Sequence, residues 1–225
     1  MTTLIFAVIV VISLAAMTAI SLKKPPLWLK EDQGLQVNWN RLSVYSAITG
    51  VLFGIGAFVV NLVNDWGMQS VVFATIGGYI FFQSIFTDLR LRLVDNRVQR
   101  VGNLVSFGVL VYVIAMFGSE FDWVVSLSFS AVAFALGLLP GIGAADGRAF
   151  LFLVLASYPV AGIVGVQWAI LIFVITLALY TVAFSFWSKT FSWKTLFTKI
   201  SFPMVPIIMF PALVVTIFGR LFSGF

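Results

Sequence analysis

The sequence predicts an all-α, polytopic membrane protein of about eight transmembrane helices. Three observations predict it. Only 9% of the chain is charged and 61% is hydrophobic, where an ordinary soluble domain is about 25% charged. The apolar residues fall in runs near the ~20 residues a helix needs to cross a ~30 Å hydrocarbon core. Within those runs the apolar residues are continuous, whereas barrel strands alternate between lipid-facing and lumen-facing positions.

Taken in order, Thr3 to Leu22 is the first expected span. It has no basic leading segment and no small-residue cleavage site, and Lys23-Lys24 follows directly, so it reads as a retained anchor and not a signal peptide. Lys23 to Arg41 is a short polar segment with Pro25-Pro26. The second span runs from about Leu42 to Val63, and Asn64-Asp65-Trp66-Gly67 makes a turn before the third, Gln69 to Phe86. The charged stretch Thr87 to Arg100 leads to the fourth, Val101 to Phe117. The acidic turn Gly118 to Asp122 precedes the fifth, Trp123 to Leu139. After Pro140 and a glycine-rich loop come a sixth span, Gly147 to Val164, and a seventh, Trp168 to Trp187. A basic segment with Lys189, Lys194 and Lys199 separates these from the last, Ser201 to Phe222. No repeat or second domain is evident, so residues 1–225 read as one transmembrane domain with a short loop at 23–41.

The basic residues orient this ladder. If the segments 23–41, 87–100, 140–148 and 188–200 are cytoplasmic, twelve of the thirteen Lys and Arg lie inside and only Arg220 does not, while Asp65, Glu120 and Asp122 fall outside. Both termini are then extracytoplasmic. The net charge of +5 reports topology and contact with membrane lipids, and there is no soluble module to bind nucleic acid. The chain has neither cysteine nor histidine. That excludes disulfides, thiol catalysis, thiolate metal sites and an imidazole base, and leaves carboxylates, hydroxyls, Lys and Arg for any chemistry.

Two carboxylates stand out. Asp88 lies where the third span ends, in Phe86-Thr87-Asp88-Leu89-Arg90, and Asp146 lies in Gly141-Ile142-Gly143-Ala144-Ala145-Asp146-Gly147-Arg148. Each has a structural reading: Asp88 as a charge paired with Arg90 or Arg92, Asp146 as a helix N-cap. The functional reading rests on their combination. Both fall at the same depth on the same side, where ionisable groups are costly and tend to mark function. Two carboxylates brought together share a proton, so one can act as base on a water while the other polarises a carbonyl.

At these residues the sequence resembles the type IV prepilin peptidases, membrane aspartic proteases of the GxGD kind. Thr87-Asp88-Leu89, followed by Val94-Asp95-Asn96, is similar to the first family motif, with Asp95 where the family often has Pro. Gly143-Ala144-Ala145-Asp146-Gly147-Arg148 is similar to the second, with Ala145 in place of the second glycine and Arg148 in place of Lys. Weaker echoes are Thr49 to Phe53 and Phe202 to Pro206, so the likeness runs from about residue 43 to 210.

The resemblance implies that Asp88 and Asp146 are catalytic, with Gly141, Gly143, Ala145, Gly147 and Arg148 forming the loop and Asn96 supporting it. It implies a membrane aspartic endopeptidase in the cytoplasmic membrane, its site facing the cytoplasm. The implied substrate is a prepilin-like protein, cut between a basic leader and its hydrophobic helix. Bacterial members carry a larger loop between the first two spans, often with four zinc-binding cysteines and linked to N-methylation. Here residues 23–41 hold no cysteine, so a peptidase without zinc, cofactor or methyltransferase activity is expected. Gln83 and Thr87 stand within about one turn of Asp88, and Pro203, Pro206 and Pro211 are expected to kink the last helix. The other classes open to such a chain are a catalytically silent scaffold of the same fold and a small transporter. A transporter calls for charges deep within spans or inverted repeats, and neither is evident.

Overall fold

A computed structural model describes residues 2–23, 38–64, 68–91, 94–138, 143–188 and 204–222. Among these the secondary structure is entirely helical: α1 (Thr2–Lys23), α2 (Trp39–Asn64), α3 (Gln69–Leu91), α4 (Asn96–Phe117), α5 (Glu120–Leu136), α6 (Ala144–Ser188) and α7 (Met204–Phe222). Gly141 and the polar segments 24–37 and 189–203, Pro203 included, lie outside the described residues.

α3 is the centre of the bundle. It packs against α1, α2, α4, α6 and α7, and Val72, Phe73, Ala74, Ile76 and Tyr79 are fully buried along it. Among the described residues five segments are long and apolar enough to cross a membrane: Thr3–Lys23, Trp39–Leu62, Gln69–Asp88, Asn96–Phe117 and Ala144–Ala183. Large apolar side chains such as Leu52, Leu62, Leu104 and Leu179 face outward, which water would penalise and lipid does not. Among the described residues the fold is all-helical, and its apolar helices are those of a membrane-embedded protein.

Polar contacts define two ends of the bundle. At one, Trp39 Nε1 at the start of α2 donates to the Ser21 carbonyl near the end of α1 (2.8 Å), and Tyr79 OH of α3 donates to Ser21 Oγ (3.2 Å). At the other, Asn61 Nδ2 donates to Ser70 Oγ (2.7 Å), Gln69 Nε2 to the Pro159 carbonyl (3.4 Å), and Tyr158 OH to Asp122 Oδ1 (2.8 Å). These bonds join the end of α2, the start of α3, the middle of α6 and the start of α5. The aspartates of the two sequence motifs belong to the first end.

Helix boundaries differ from the sequence reading in instructive ways. α3 continues to Leu91, beyond the expected end at Phe86, because Thr87 to Leu91 is polar but holds no helix breaker. Asp95, not a proline, starts the next helix. It is the N-cap of α4, and its Oδ1 accepts from the Arg97 backbone N–H at 3.0 Å. α5 starts at Glu120 and not Trp123, since Ser119 and Asp122 form a reciprocal capping box, and it ends at Leu136 and not Leu139.

The sixth and seventh expected spans are one helical stretch, α6, broken at Ala161 (φ −141°, ψ 21°) and Gly162 (φ 61°, ψ −150°). The break comes just after Pro159, earlier than the expected gap at residues 165–167. A Cβ placed on Gly165 would fall 2.7 Å from the Ser157 carbonyl oxygen. Residues eight apart in a straight helix are separated by ~12 Å of rise, so the chain turns back on itself here. Gly162 permits the turn, as its left-handed φ is one that side chains rarely adopt. In α7, Pro206 occupies the first turn, where its missing N–H leaves no bond unmade, and Pro211 lies in the helix interior.

Candidate active site

Asp88 sits on the last turn of α3 and is buried, with 6% of its surface exposed. A buried carboxylate needs compensation. Part of it comes from the start of α7, where the Val205 backbone N–H donates to Asp88 Oδ2 at 3.2 Å. The first amides of a helix have no partner within it and carry the positive end of its dipole, so this contact favours the anion. Gln83 and Thr87 take other partners: Gln83 Nε2 donates to Ser21 Oγ (3.4 Å), and Thr87 Oγ1 to the Gln83 carbonyl one turn back (3.1 Å).

Asp146 is the third residue of α6, three positions after Gly143, and its place is that of a reciprocal cap and not the N-cap itself. The Gly143 N–H donates to Asp146 Oδ2 (3.2 Å), while the Gly143 carbonyl accepts from the Gly147 N–H (3.1 Å). A Cβ at position 143 would lie 2.9 Å from that carboxylate oxygen, so glycine there lets the aspartate fold back over the helix start. Ala145 occupies an ordinary position in the first turn of α6, where a methyl group meets no backbone penalty. Gly147 serves packing. A Cβ on it would fall 2.8 Å from the Gly137 nitrogen and closer still to Gly137 Cα, so the end of α5 and the start of α6 meet backbone to backbone.

α4 ties the two motifs together through residues that share one helix face. Arg148 Nη1 donates to Asn96 Oδ1 (2.6 Å), Gln99 Nε2 to the Ala145 carbonyl (3.3 Å), and Asn103 Nδ2 to the Arg148 carbonyl (3.0 Å). Asn96 therefore faces the second motif. Gln99 and Asn103 escape a reading based on motifs, though the spacing Asn96, Gln99, Asn103 is that of a polar stripe on an otherwise apolar helix.

The same end holds a third carboxylate, Asp95, with 2% exposure. Its two oxygens accept from Arg97 Nε (2.9 Å) and Nη2 (2.8 Å), a bidentate pair that commits it to the start of α4. Asp88 and Asp146, like Asp95, each accept from a backbone amide at the start of a helix. Three amide-bound carboxylates thus lie at one end of the bundle, and the bonds described tie Asp88 to α7 and Asp146 to the start of its own helix and do not join the two. Two carboxylates that share one water can act on it as acid and base. Compared with family models, curated proteins and solved structures, the chain gives no match.

Proposed function

We propose that the chain is a membrane aspartic endopeptidase that removes the leader from a prepilin-like protein at the cytoplasmic face of the cell membrane. The observation that carries the reading is the pair Asp88 and Asp146, at one end of the bundle and each hydrogen-bonded by a backbone amide from a helix start. In this reading the two carboxylates share one proton. The ionised one takes a proton from water, whose oxygen attacks the scissile carbonyl carbon. The protonated one gives its proton to the carbonyl oxygen. Collapse of the tetrahedral intermediate breaks the C–N bond, and the leaving amine takes a proton.

Eight crossings with both termini extracytoplasmic complete the proposal, α6 contributing two through its fold at Gly162. They put both aspartates at headgroup depth, where the junction between a basic leader and its hydrophobic helix would lie. The short segment 23–41 holds no cysteine, so the proposed peptidase lacks the cysteine-bearing segment linked to methyl transfer in the family that it resembles.

Co-expression with a prepilin tests the reading. Asp88→Asn and Asp146→Asn are each expected to abolish cleavage while the protein still inserts in the membrane. Asp95→Asn, at a carboxylate committed to Arg97, is expected to retain cleavage. Normal processing by either of the first two variants refutes the proposal.

A further inference from the structure

A cleft of about 520 Å³ lies between α4, α5 and α6. Its composition changes along its length. Arg100, Asn103 and Arg148 line it near the helix starts, and Phe107, Phe134 and Leu155 line it farther in. From Arg148 to Leu155 the helix rises ~10 Å, less than the ~15 Å depth of one leaflet's hydrocarbon. The cleft is therefore cationic at headgroup level and apolar along one leaflet.

Among the described residues neither Arg100 nor Arg148 pairs with a carboxylate, the ion pair at this end being Arg97 with Asp95. Arg148 gives one guanidinium nitrogen to Asn96, and Arg100 is exposed. Two cations facing one cleft repel each other unless an anion lies between them. Asn103 also lines the cleft, and its Nδ2 donates to the Arg148 carbonyl, which fixes the backbone that carries this arginine.

We propose that this cleft binds one anionic phospholipid, its phosphate between Arg100 and Arg148 and an acyl chain along Phe107, Phe134 and Leu155. Charge complementarity selects the anion, and the apolar depth selects a lipid over a free anion. Because the lipid's single negative charge offsets one of the two positive charges at this cleft, it would also ease the approach of a basic leader, but the binding site stands whether or not the chain is a peptidase.

Native mass spectrometry of the purified full-length chain tests this, with equimolar dioleoylphosphatidylglycerol and dioleoylphosphatidylcholine added to the micelles. Phosphatidylglycerol is expected to be retained in preference. Arg100→Gln with Arg148→Gln should weaken that retention roughly thirty-fold, from the ~1 kcal/mol each basic residue contributes against an anionic lipid surface. Arg100→Gln alone should weaken it severalfold and Arg100→Lys should restore it, which guards against a misfolded double variant. Leu151→Trp, which fills the apolar part of the cleft, should lower retention as well. Equal retention of the two lipids overturns the proposal, as does unchanged retention in Arg100→Gln. Thermal stabilisation by inorganic phosphate equal to that by the lipid would show an anion site only and also overturn it. So would a hydrophobic helical peptide that crosslinks at Leu151 and is not displaced by phosphatidylglycerol, since the cleft would then be a helix-docking groove.

Discussion

Replacing Gly147 with alanine probes how the start of α6 is set. The backbones of Gly137 and Gly147 touch: a Cβ on Gly147 would lie 2.8 Å from the Gly137 nitrogen, and one on Gly137 would lie 3.0 Å from Gly147 Cα. Both groups are backbone, so no flexible side chain can yield, and the end of α5 must part from α6. Overpacking of this kind costs about 1–3 kcal/mol, while exchanging glycine for alanine in a helix returns about 0.5–1 kcal/mol. The net expectation is a loss of about 1–2 kcal/mol, or roughly 2–8 °C in Tm. Gly56→Ala and Gly108→Ala are the controls. Each sits in a helix with nothing within 4 Å of an added methyl, so each should keep or raise the Tm. On the proposed peptidase reading, Asp146 immediately precedes Gly147, so cleavage should suffer beyond the stability loss, as a ~1 Å displacement of a reacting group can cost about a hundredfold. The assay is thermal unfolding in detergent, followed by single-turnover cleavage well below the Tm. If Gly147→Ala matches the two controls in both, the backbone contact does not set the site.

Two further predictions concern the two ends of the bundle. The Ser119 backbone N–H, then the Ser119 and Tyr158 hydroxyls, hold Asp122 below the usual carboxylate range. A lowered folded value means stability that is fully present above the unfolded pKa of ~3.9 and is lost as pH falls through the folded one. The stability difference between the native chain and Asp122→Asn should hold constant from pH 7 to 5 and close below about pH 4. A gap that begins to close near pH 6 would point to another group. At the other end, a double-mutant cycle on Asn96→Ala and Arg148→Gln should give a coupling of about 0.5–1.5 kcal/mol, as for a partly exposed hydrogen bond to a charged donor. Additive single effects would show that this bond does not join α4 to α6.

The fold was largely legible because lipid imposes a simple rule on sequence. Where water is absent each crossing must satisfy its own backbone, so apolar length alone marks the helices. What sequence hid were boundaries decided by single polar side chains. Ser119 and Asp122 cap each other and move the start of α5 three residues upstream of Trp123. Asp95 caps α4 at a place where hydropathy sees only a charged run. The break in α6 falls at Gly162, and neither it nor Gly165 stands out in a chain with 18 glycines. Only the closeness of Gly165 to the Ser157 carbonyl tells that the chain reverses there.

For the candidate site, the sequence offered the two aspartates but not what fixes them. A motif is contiguous, whereas one group that holds Asp88, the Val205 backbone N–H, lies 117 residues away. No local pattern can report such a contact, because it depends on how α7 docks against α3. The three glycines read as one flexible loop divide into separate tasks. Gly143 makes room for the Asp146 carboxylate, Gly147 admits α5, and Gly141 lies outside the described residues. The consequence is physical: substitutions at 143 and 147 act by different routes. Alanine at 143 pushes directly on the Asp146 oxygen and so on the acid–base geometry, while alanine at 147 pushes on α5 and reaches Asp146 only through the backbone. A site assembled in this way depends on helix packing as much as on its two acids, which is why glycine-to-alanine variants separate positioning from chemistry more cleanly than changes at the aspartates themselves.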